Sequence, residues 1–363
     1  MIDCLIYFGI FVFVFILNWA AMRQKRPILR SIFVLMSFLV LLAFVGFRYN
    51  VGADYDNYLK AYGEIANTPW EKLPSLRMEL LVAAIFKVCS YVLSDAKLIF
   101  VVLGFLLLWP IYKVNKLYDY KYLAYSVLTY CVLFLPFGMN GMRQSIAMGF
   151  ILLAYVYMLK NRTKCSVASF VAAVLFHTTS LIVLPYLVII YASQRKNVVF
   201  TTLSVIASII IIVMVLFFLN GLLIDNGITQ YDYMLGSIDV EKISFTSSIA
   251  YLPIVLMIVL LGKRADKELK NEIMVFENLT ISGIVFRAIG TAAKYLSRFG
   301  LFFMMPIVVL MPELIQGIPQ KNTRLLVKGL FVTYLVAIFY VQYSVLGWQG
   351  IIPYQTWVFG GIS

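Results

Sequence analysis

The sequence has few charged side chains. Only 13% of its 363 residues are charged, whereas 62% are hydrophobic. A soluble domain is typically about 45–50% apolar and about 25% charged. Because so little polar surface is available, the composition excludes an ordinary soluble protein and indicates an integral membrane protein.

Cysteine and histidine are also scarce. The four cysteines lie in apolar stretches without Cys-x-x-Cys spacing, which is typical of small buried side chains; they are Cys4, Cys89, Cys131 and Cys165. His177 is the only histidine, so a histidine-rich metal site is excluded. No P-loop, Gly-x-Ser-x-Gly or Asp-rich motif occurs. We therefore predict neither a metal nor a cofactor.

Basic residues are in excess, with 30 Lys and Arg against 17 Asp and Glu. In a soluble protein this would suggest nucleic acid as a partner. Here the basic residues form short clusters between apolar runs, as cytoplasmic loops do under the positive-inside rule. The clearest clusters are Arg23–Arg30, Lys160–Lys164, Arg195–Lys196, Lys263–Lys270 and Lys321–Arg324. Three longer polar segments are then predicted outside, namely Arg48–Arg77, Asn220–Lys242 and Gly347–Ser363.

Apolar runs recur along the whole chain. A spanning helix needs about 20 mostly apolar residues, and runs of that kind or slightly shorter predict roughly 11 to 13 crossings. They are Cys4–Met22, Ile32–Phe47, Leu80–Leu93, Leu98–Val114, Tyr122–Phe137, Ile146–Leu159, Val167–Ala192, Val199–Leu219, Ser248–Gly262, Ile273–Ile289, Phe299–Leu314 and Leu325–Leu346. Without a linker or soluble segment, residues 1–363 are predicted to form a single, all-α, multi-pass membrane domain.

Two runs do not fit a regular up-and-down count. The short run after Glu79 is predicted to be re-entrant or bent. The run that contains Pro185 has cytoplasmic-looking ends and is predicted to break near His177. Irregular backbone at membrane depth is tolerated where it faces protein or a wet cavity. The two runs together predict a cavity that opens to the outer face.

Ionisable residues near these places are the candidates for chemistry. Arg48 follows the second apolar run, and Gly52 permits a tight turn that could bring Asp54 back beside it. Arg143 opens the helix that ends at the cytoplasmic Lys160, and arginine at a helix N-terminus favours an anion. The alternative for both arginines is a side chain exposed at the membrane interface.

Three further groups are candidates on their chemistry. Imidazole is the commonest general base, which favours His177, although a histidine bonded to main chain in the core is the alternative. Arg287 and Arg298 follow near outer helix ends, with Lys294 between them, and could hold a diphosphate together. Glu79 is predicted to be their partner or a base in its own right.

Four motifs in this order resemble the EpsG-like proteins, which are similar to Wzy-type polymerases of O-antigens, capsules and exopolysaccharides. The motifs are Arg48-x-x-x-Gly52-x-Asp54-Tyr55-x-x-Tyr58, Asn140-x-x-Arg143-Gln144-x-x-Ala147, Phe176-His177-Thr178 leading to Pro185, and Arg298-Phe299. The first half of the chain resembles the family well and the second half loosely. Ala53 departs from the family, which more often has a small hydroxyl residue there.

The resemblance implies a glycosyltransferase of GT-C-like fold in the bacterial inner membrane. Its substrates would be undecaprenyl-diphosphate-linked oligosaccharides, as donor and as acceptor, joined at the periplasmic face. Membrane lipid and a chain-length regulator protein are the other expected partners, and nucleic acid is not expected. An O-antigen ligase and a flippase or transporter of lipid-linked oligosaccharide are the alternatives.

The candidate residues divide into two predicted groups. The predicted catalytic residues are His177, Arg48, Asp54 and Arg143, with His177 as the first choice of base and Asp54 or Glu79 as the second. The predicted substrate-binding residues are Arg298, Arg287, Asn140, Gln144, Tyr55, Tyr58 and Glu79.

Overall fold

The protein is α-helical throughout the part that the structure describes. The structure is a computed structural model, and it describes residues 2–76, 78–193, 246–262, 270–289 and 296–358. Among these residues there are α-helices, short 3₁₀ and π turns, and no strand. The predicted all-α fold is confirmed.

The chain separates into two compact units. The first unit consists of Met1–Leu153, Ser169–Thr178 and Lys328–Ser363, and the second of Ala154–Ala168 and Thr179–Val327. Each is described below by itself. The prediction of a single membrane domain stays a prediction.

The α-helices are numbered in chain order over the described residues. The first eight are α1 Ile2–Arg23, α2 Pro27–Gly46, α3 Tyr55–Asn67, α4 Leu80–Val92, α5 Ile99–Leu117, α6 Leu123–Leu133, α7 Leu135–Asn140 and α8 Met142–Leu159. The others are α9 Thr163–Phe176, α10 Leu184–Ser193, α11 Thr246–Ile249, α12 Leu252–Leu261, α13 Lys270–Ile289, α14 Leu296–Met304, α15 Ile307–Gln316 and α16 Lys321–Phe339.

Several helices are long and apolar enough to cross a bilayer. Five qualify within the described ranges, namely α1, α2, α5, α8 and α16, and the bent pair of α14 and α15 makes a sixth. Five shorter apolar helices accompany them. The protein is therefore a multi-pass membrane protein, as predicted. The count of 11 to 13 crossings stays a prediction, because Val199–Leu219 and the polar segment Asn220–Lys242 lie outside the described residues.

Prolines divide two runs that the sequence predicted as single helices. The run Tyr122–Phe137 is two helices, α6 and α7, which separate at Phe134, with Pro136 in the first turn of α7. The run Phe299–Leu314 bends by 44° between α14 and α15, where Pro306 caps α15. Proline lacks an N–H group and its ring blocks the preceding turn, so it starts helices and interrupts longer ones.

One predicted irregularity, the break at His177, is confirmed, whereas the re-entrant or bent course of the run after Glu79 stays a prediction. Helix α4 has 13 residues, which at 1.5 Å per residue is about 20 Å, too short for the roughly 30 Å hydrocarbon core. The other run breaks where predicted, since α9 ends at Phe176 and a 3₁₀ turn begins at Thr178 before α10. His177 lies at this break.

The first unit is built on α1, α2, α5 and α6. Helix α1 packs against α2 and α6, and α2 packs against α5. A C-terminal segment (residues 347–358) returns to the end of α2, where the Tyr354 ring stacks on Phe44 at 4.4 Å between centroids. The Thr356 hydroxyl donates to the Phe47 carbonyl at 2.8 Å. Both ends of the chain therefore contribute to one core.

The described helices of the second unit pack against one another. Helix α13 packs along α14 and against α11, and α12 packs against α15. The Phe303 ring lies between Tyr186 and Phe286, with centroids 4.6 and 5.2 Å away. This aromatic contact joins α10, α13 and α14 in a common interior.

Arg48 is fully buried in the turn after α2. Its guanidinium donates to the carbonyls of Val45 at 2.6 Å, Val51 at 3.1 Å and Met139 at 3.1 Å, and it lies 4.3 Å from the centre of the Phe100 ring. Burial lowers the pKa of Arg48 to about 10, so the side chain stays charged at neutral pH. The interpretation of Arg48 as an exposed interfacial side chain is wrong, because the main chain replaces water as its partner.

Replacing Arg48 should test this structural account. Arg48→Ala removes the donors of three buried carbonyls, and we expect it to destabilise the protein by about 3 kcal/mol or more. Thermal unfolding in detergent measures the change, with Arg30→Ala as a control because Arg30 pairs with an exposed Asp119. Normal unfolding of Arg48→Ala combined with lost activity would instead support the predicted catalytic role.

Candidate active site

Two ionisable side chains from distant parts of the first unit, those of Arg143 and His177, both contact the carboxylate of Glu79. The Glu79 Oε1 atom lies 2.7 Å from His177 Nδ1, and Oε2 forms an ion pair with Arg143 Nη1. The carboxyl and imidazole side chains are 11% and 16% exposed, and the arginine is 31% exposed. This carboxylate-centred triad (Glu79, Arg143 and His177) is thus partly open and largely screened from solvent.

Helix packing brings Glu79 into this position. Helix α3 buries one face, which includes Tyr62 and Ile65, and packs against α4. Lys87 of α4 donates from Nζ to the Ala66 carbonyl at 2.8 Å, which joins the two helices at the end of α3. Glu79 immediately precedes α4, so the packing of α3 against α4 fixes the position of its carboxylate.

The ends of α8 and α9 supply the other two side chains. Arg143 is the second residue of α8, and its main-chain N–H donates to the Tyr58 hydroxyl at 3.2 Å. His177 directly follows α9, and its N–H donates to the Ala173 carbonyl at 2.9 Å. The Phe176 ring stacks on Phe150 of α8 at 5.6 Å. The end of α9 therefore packs against α8, the helix whose first turn carries Arg143.

The neighbours of Glu79 keep it ionised. Burial alone raises the pKa of the Glu79 carboxyl, but the hydrogen bond with His177 and the charge of Arg143 outweigh burial and hold that pKa below its ordinary value of 4.5. An ionised carboxylate only accepts hydrogen bonds, so the His177 Nδ1 atom must carry the proton in this contact. In a neutral imidazole that donates from Nδ1, Nε2 carries the basic lone pair.

Asp54 does not approach Arg48 as the sequence suggested. Gly52 does adopt a left-handed conformation, with φ of 95°, and a Cβ atom there would lie 2.5 Å from the Met139 carbonyl oxygen. The turn instead directs the Asp54 N–H to Asn140 Oδ1 at 2.8 Å. The Asp54 carboxylate accepts from the exposed Asn57 amide at 3.2 Å.

The other predicted binding residues are mostly buried. Tyr55 is 2% exposed and stacks on Phe100 at 4.5 Å, and Tyr58 is 7% exposed. Asn140 and Gln144 are 7% and 6% exposed. The packing of Tyr55 gives it a core position, and Tyr58 holds the first turn of α8. Substrate binding by these four residues stays a prediction.

Arg287 and Arg298 belong to the second unit. The Arg287 guanidinium lies 5.2 Å from the centre of the Tyr251 ring, and the side chain is half-buried against Gly300. Arg298 is exposed on α14, and Lys294 lies outside the described residues. Their joint binding of a diphosphate stays a prediction. The sequence also suggested Glu79 as their partner, whereas the ion pair of Glu79 is with Arg143.

Sequence reasoning missed the contribution of the C-terminal segment. The Gln349 side chain accepts a hydrogen bond from Asn140 Nδ2 at 2.7 Å, and its main-chain oxygen accepts from Ala53 at 3.0 Å. The available signal was the pair of glycines that flank this part of the chain, Gly347 and Gly350. No group of three or more His, Cys, Asp or Glu side chains is placed to hold a metal ion among the residues described.

These features define a polytopic α-helical membrane protein with a polar triad near the ends of its helices. The family model described as the EpsG family matches residues 31–356, which is most of the chain. The protein belongs to the EpsG family, a family of Wzy-like polysaccharide polymerases. No curated protein matches the chain, and no solved structure does.

The ionised state of Glu79 predicts a pH-dependent stability. Because its pKa is lowered in the folded protein, its interactions stabilise the fold fully above about pH 4.5 and are lost as the pH falls through the lowered pKa. Glu79→Gln should therefore unfold at a lower temperature than wild type at neutral pH. The two proteins should converge as the pH falls through the lowered pKa of Glu79.

Thermal unfolding in detergent across this pH range measures the effect. Asp56→Asn is the matched control, because it neutralises an exposed carboxyl on α3, and it should follow wild type at every pH. A Glu79→Gln deficit that stayed constant with pH would contradict the ionised pair.

Proposed function

We propose that the protein polymerises undecaprenyl-diphosphate-linked oligosaccharide units at the periplasmic face of a bacterial inner membrane. Membership of a polysaccharide polymerase family supports the class of reaction. The observation that carries the proposal is the carboxylate-centred triad, since it joins a base, its orienting carboxylate and a cation in one place.

His177 is the proposed general base. The reaction needs a group that takes the proton of an acceptor sugar hydroxyl. Glu79 accepts from Nδ1 and so orients the imidazole with Nε2 as the basic nitrogen, while the carboxylate stabilises the imidazolium that forms. Glu79, first considered as a base itself, becomes the orienting group, and the Asp54 carboxylate bonds to Asn57.

Arg143 is the proposed stabiliser of the leaving group. Charge develops on the diphosphate oxygens as the donor sugar departs, and a preorganised cation lowers the energy of that state. The guanidinium has five N–H donors, and Nη1 pairs with Glu79. Arg143 also lies in the first turn of α8, where the free N–H groups of the helix add positive potential.

The proposed step is a single displacement. The acceptor hydroxyl oxygen attacks the anomeric carbon of the donor sugar, and the bond from that carbon to the phosphate oxygen breaks. The electron pair of the broken bond stays on the lipid diphosphate, and the hydroxyl proton passes to His177. The growing glycan is thereby transferred to the new lipid-linked unit.

The periplasmic orientation rests on the basic clusters. Lys160 and Arg162 follow α8 and are proposed to lie in the cytoplasm under the positive-inside rule. A helix of 18 residues spans about 27 Å, so Arg143 at its other end would reach the outer side. Arg287 and Arg298 are proposed as further phosphate contacts on their chemistry, and a chain-length regulator is the proposed protein partner.

Arg143→Ala tests the site in cells that make the polysaccharide. We expect the variant to reach the membrane in normal amount and to abolish the ladder of polymer lengths on a gel, because the leaving diphosphate loses its cation. Arg30→Ala is the matched control, since Arg30 pairs with Asp119 far along the chain from the triad. Normal ladders from Arg143→Ala would show that the site is wrong.

The purified protein distinguishes the polymerase from its alternatives. Given only lipid-linked repeat units, a polymerase forms longer lipid-linked products. An O-antigen ligase would need lipid A core as acceptor, and a flippase or transporter would leave the units unchanged. Chromatography of the products therefore separates these functions, and unchanged units would contradict the proposal.

A further inference from the structure

The C-terminal segment follows an unusual backbone path beside the site. Three of four consecutive residues have left-handed backbone angles, namely Gly347 with φ of 63°, Gln349 with φ of 69° and Gly350 with φ of 61°. Glycine adopts this conformation readily, whereas a side chain with a Cβ atom is disfavoured there. Gln349 therefore occupies a position where the backbone alone would favour glycine.

The Gln349 side chain has a specific partner. Its Oε1 atom accepts from Asn140 Nδ2 at 2.7 Å. The surrounding backbone is fixed as well, because the Gln349 carbonyl accepts from Ala53 at 3.0 Å and the Gly350 carbonyl from Gly52 at 2.8 Å. The C-terminal segment thus holds both the turn that leads into α3 and the end of α7.

The Asn140 side chain bonds both to Gln349 and to the main chain of Asp54. This side chain donates to Gln349 and accepts from the Asp54 N–H at 2.8 Å, so the amide has one orientation that satisfies both bonds. Asn140 is buried, with only 7% of its surface exposed. It is the last residue of α7 and precedes Arg143 by three residues. A displaced Asn140 would shift Asp54, whose N–H it holds.

We propose that Gln349 is a positioning residue for the acceptor sugar, a role that rests on the proposed polymerase function. Through Asn140 it holds Asp54, whose half-exposed carboxylate is bonded to the exposed Asn57 amide. A carboxylate and an amide side by side accept from and donate to sugar hydroxyls. Gln349 thus presents this pair to a hydroxyl-rich acceptor, so that the C-terminal segment completes the sugar-binding part of the site.

Gln349→Gly separates the side chain from the backbone. Glycine suits the left-handed backbone, so we expect the variant to accumulate in the membrane and to unfold at a temperature close to that of wild type. The KM for lipid-linked repeat units should rise about tenfold with kcat within about twofold, because acceptor binding is lost and the triad is intact. Gln355→Ala is the control, since Gln355 contacts Tyr49 through its main-chain oxygen.

Two further variants keep the test decisive. Gln349→Asn also tolerates left-handed backbone but is too short to reach Asn140, so it should raise KM as Gln349→Gly does. Asn140→Ala should raise KM itself, and adding Gln349→Gly to it should have no further effect. Additive effects would show that Gln349 acts without Asn140 and would overturn the proposal.

The assay uses the purified full-length protein and lipid-linked oligosaccharide isolated from producing cells that lack it. A wild-type protein that forms no longer products would overturn the proposed function and the role of Gln349 with it. A wild type that elongates, together with Gln349→Gly and Gln349→Asn at unchanged KM, would overturn the role of Gln349 alone.

Discussion

The site depends on one carboxylate, that of Glu79, which binds Arg143 through one oxygen and His177 through the other. The arginine and the histidine supply the opposite charge and the hydrogen bond that make burial of the carboxylate tolerable. In return, the carboxylate fixes the direction of both partners. The rest of the first unit supports this arrangement: the α3–α4 pair supplies Glu79, the start of α8 supplies Arg143, and the broken end of α9 supplies His177.

A second set of buried polar contacts holds the frame around the triad. Arg48 connects the carbonyls of α2, the following turn and α7, and Gln349 reaches the same region from the C-terminal segment. Buried carbonyls and amides need partners where water is excluded. These contacts therefore join segments that are far apart in sequence, and they separate Arg48, which organises the frame, from Arg143, which belongs to the triad.

Much of this was predictable from sequence, and the failures have physical causes. Hydrophobic run length predicts the all-α membrane fold, and Pro185 with a polar cluster predicts the break at His177. The sequence does not distinguish a buried arginine from an exposed one, so Arg48 and Arg143 had equivalent interpretations until the tertiary contacts separated them. The pairing of Glu79 with Arg143, and the return of Gln349 over a separation of 209 residues, are long-range contacts with no local pattern.

The central claim is that Glu79 and His177 act as one unit, and a double-mutant cycle on turnover tests it most directly. Purified Glu79→Gln, His177→Gln and the double variant would be compared with wild type in the rate of chain elongation. Residues that act together lose their function together, so we predict that the double variant is no slower than the slower single variant. Multiplicative losses would show that the two side chains act independently and would contradict the account.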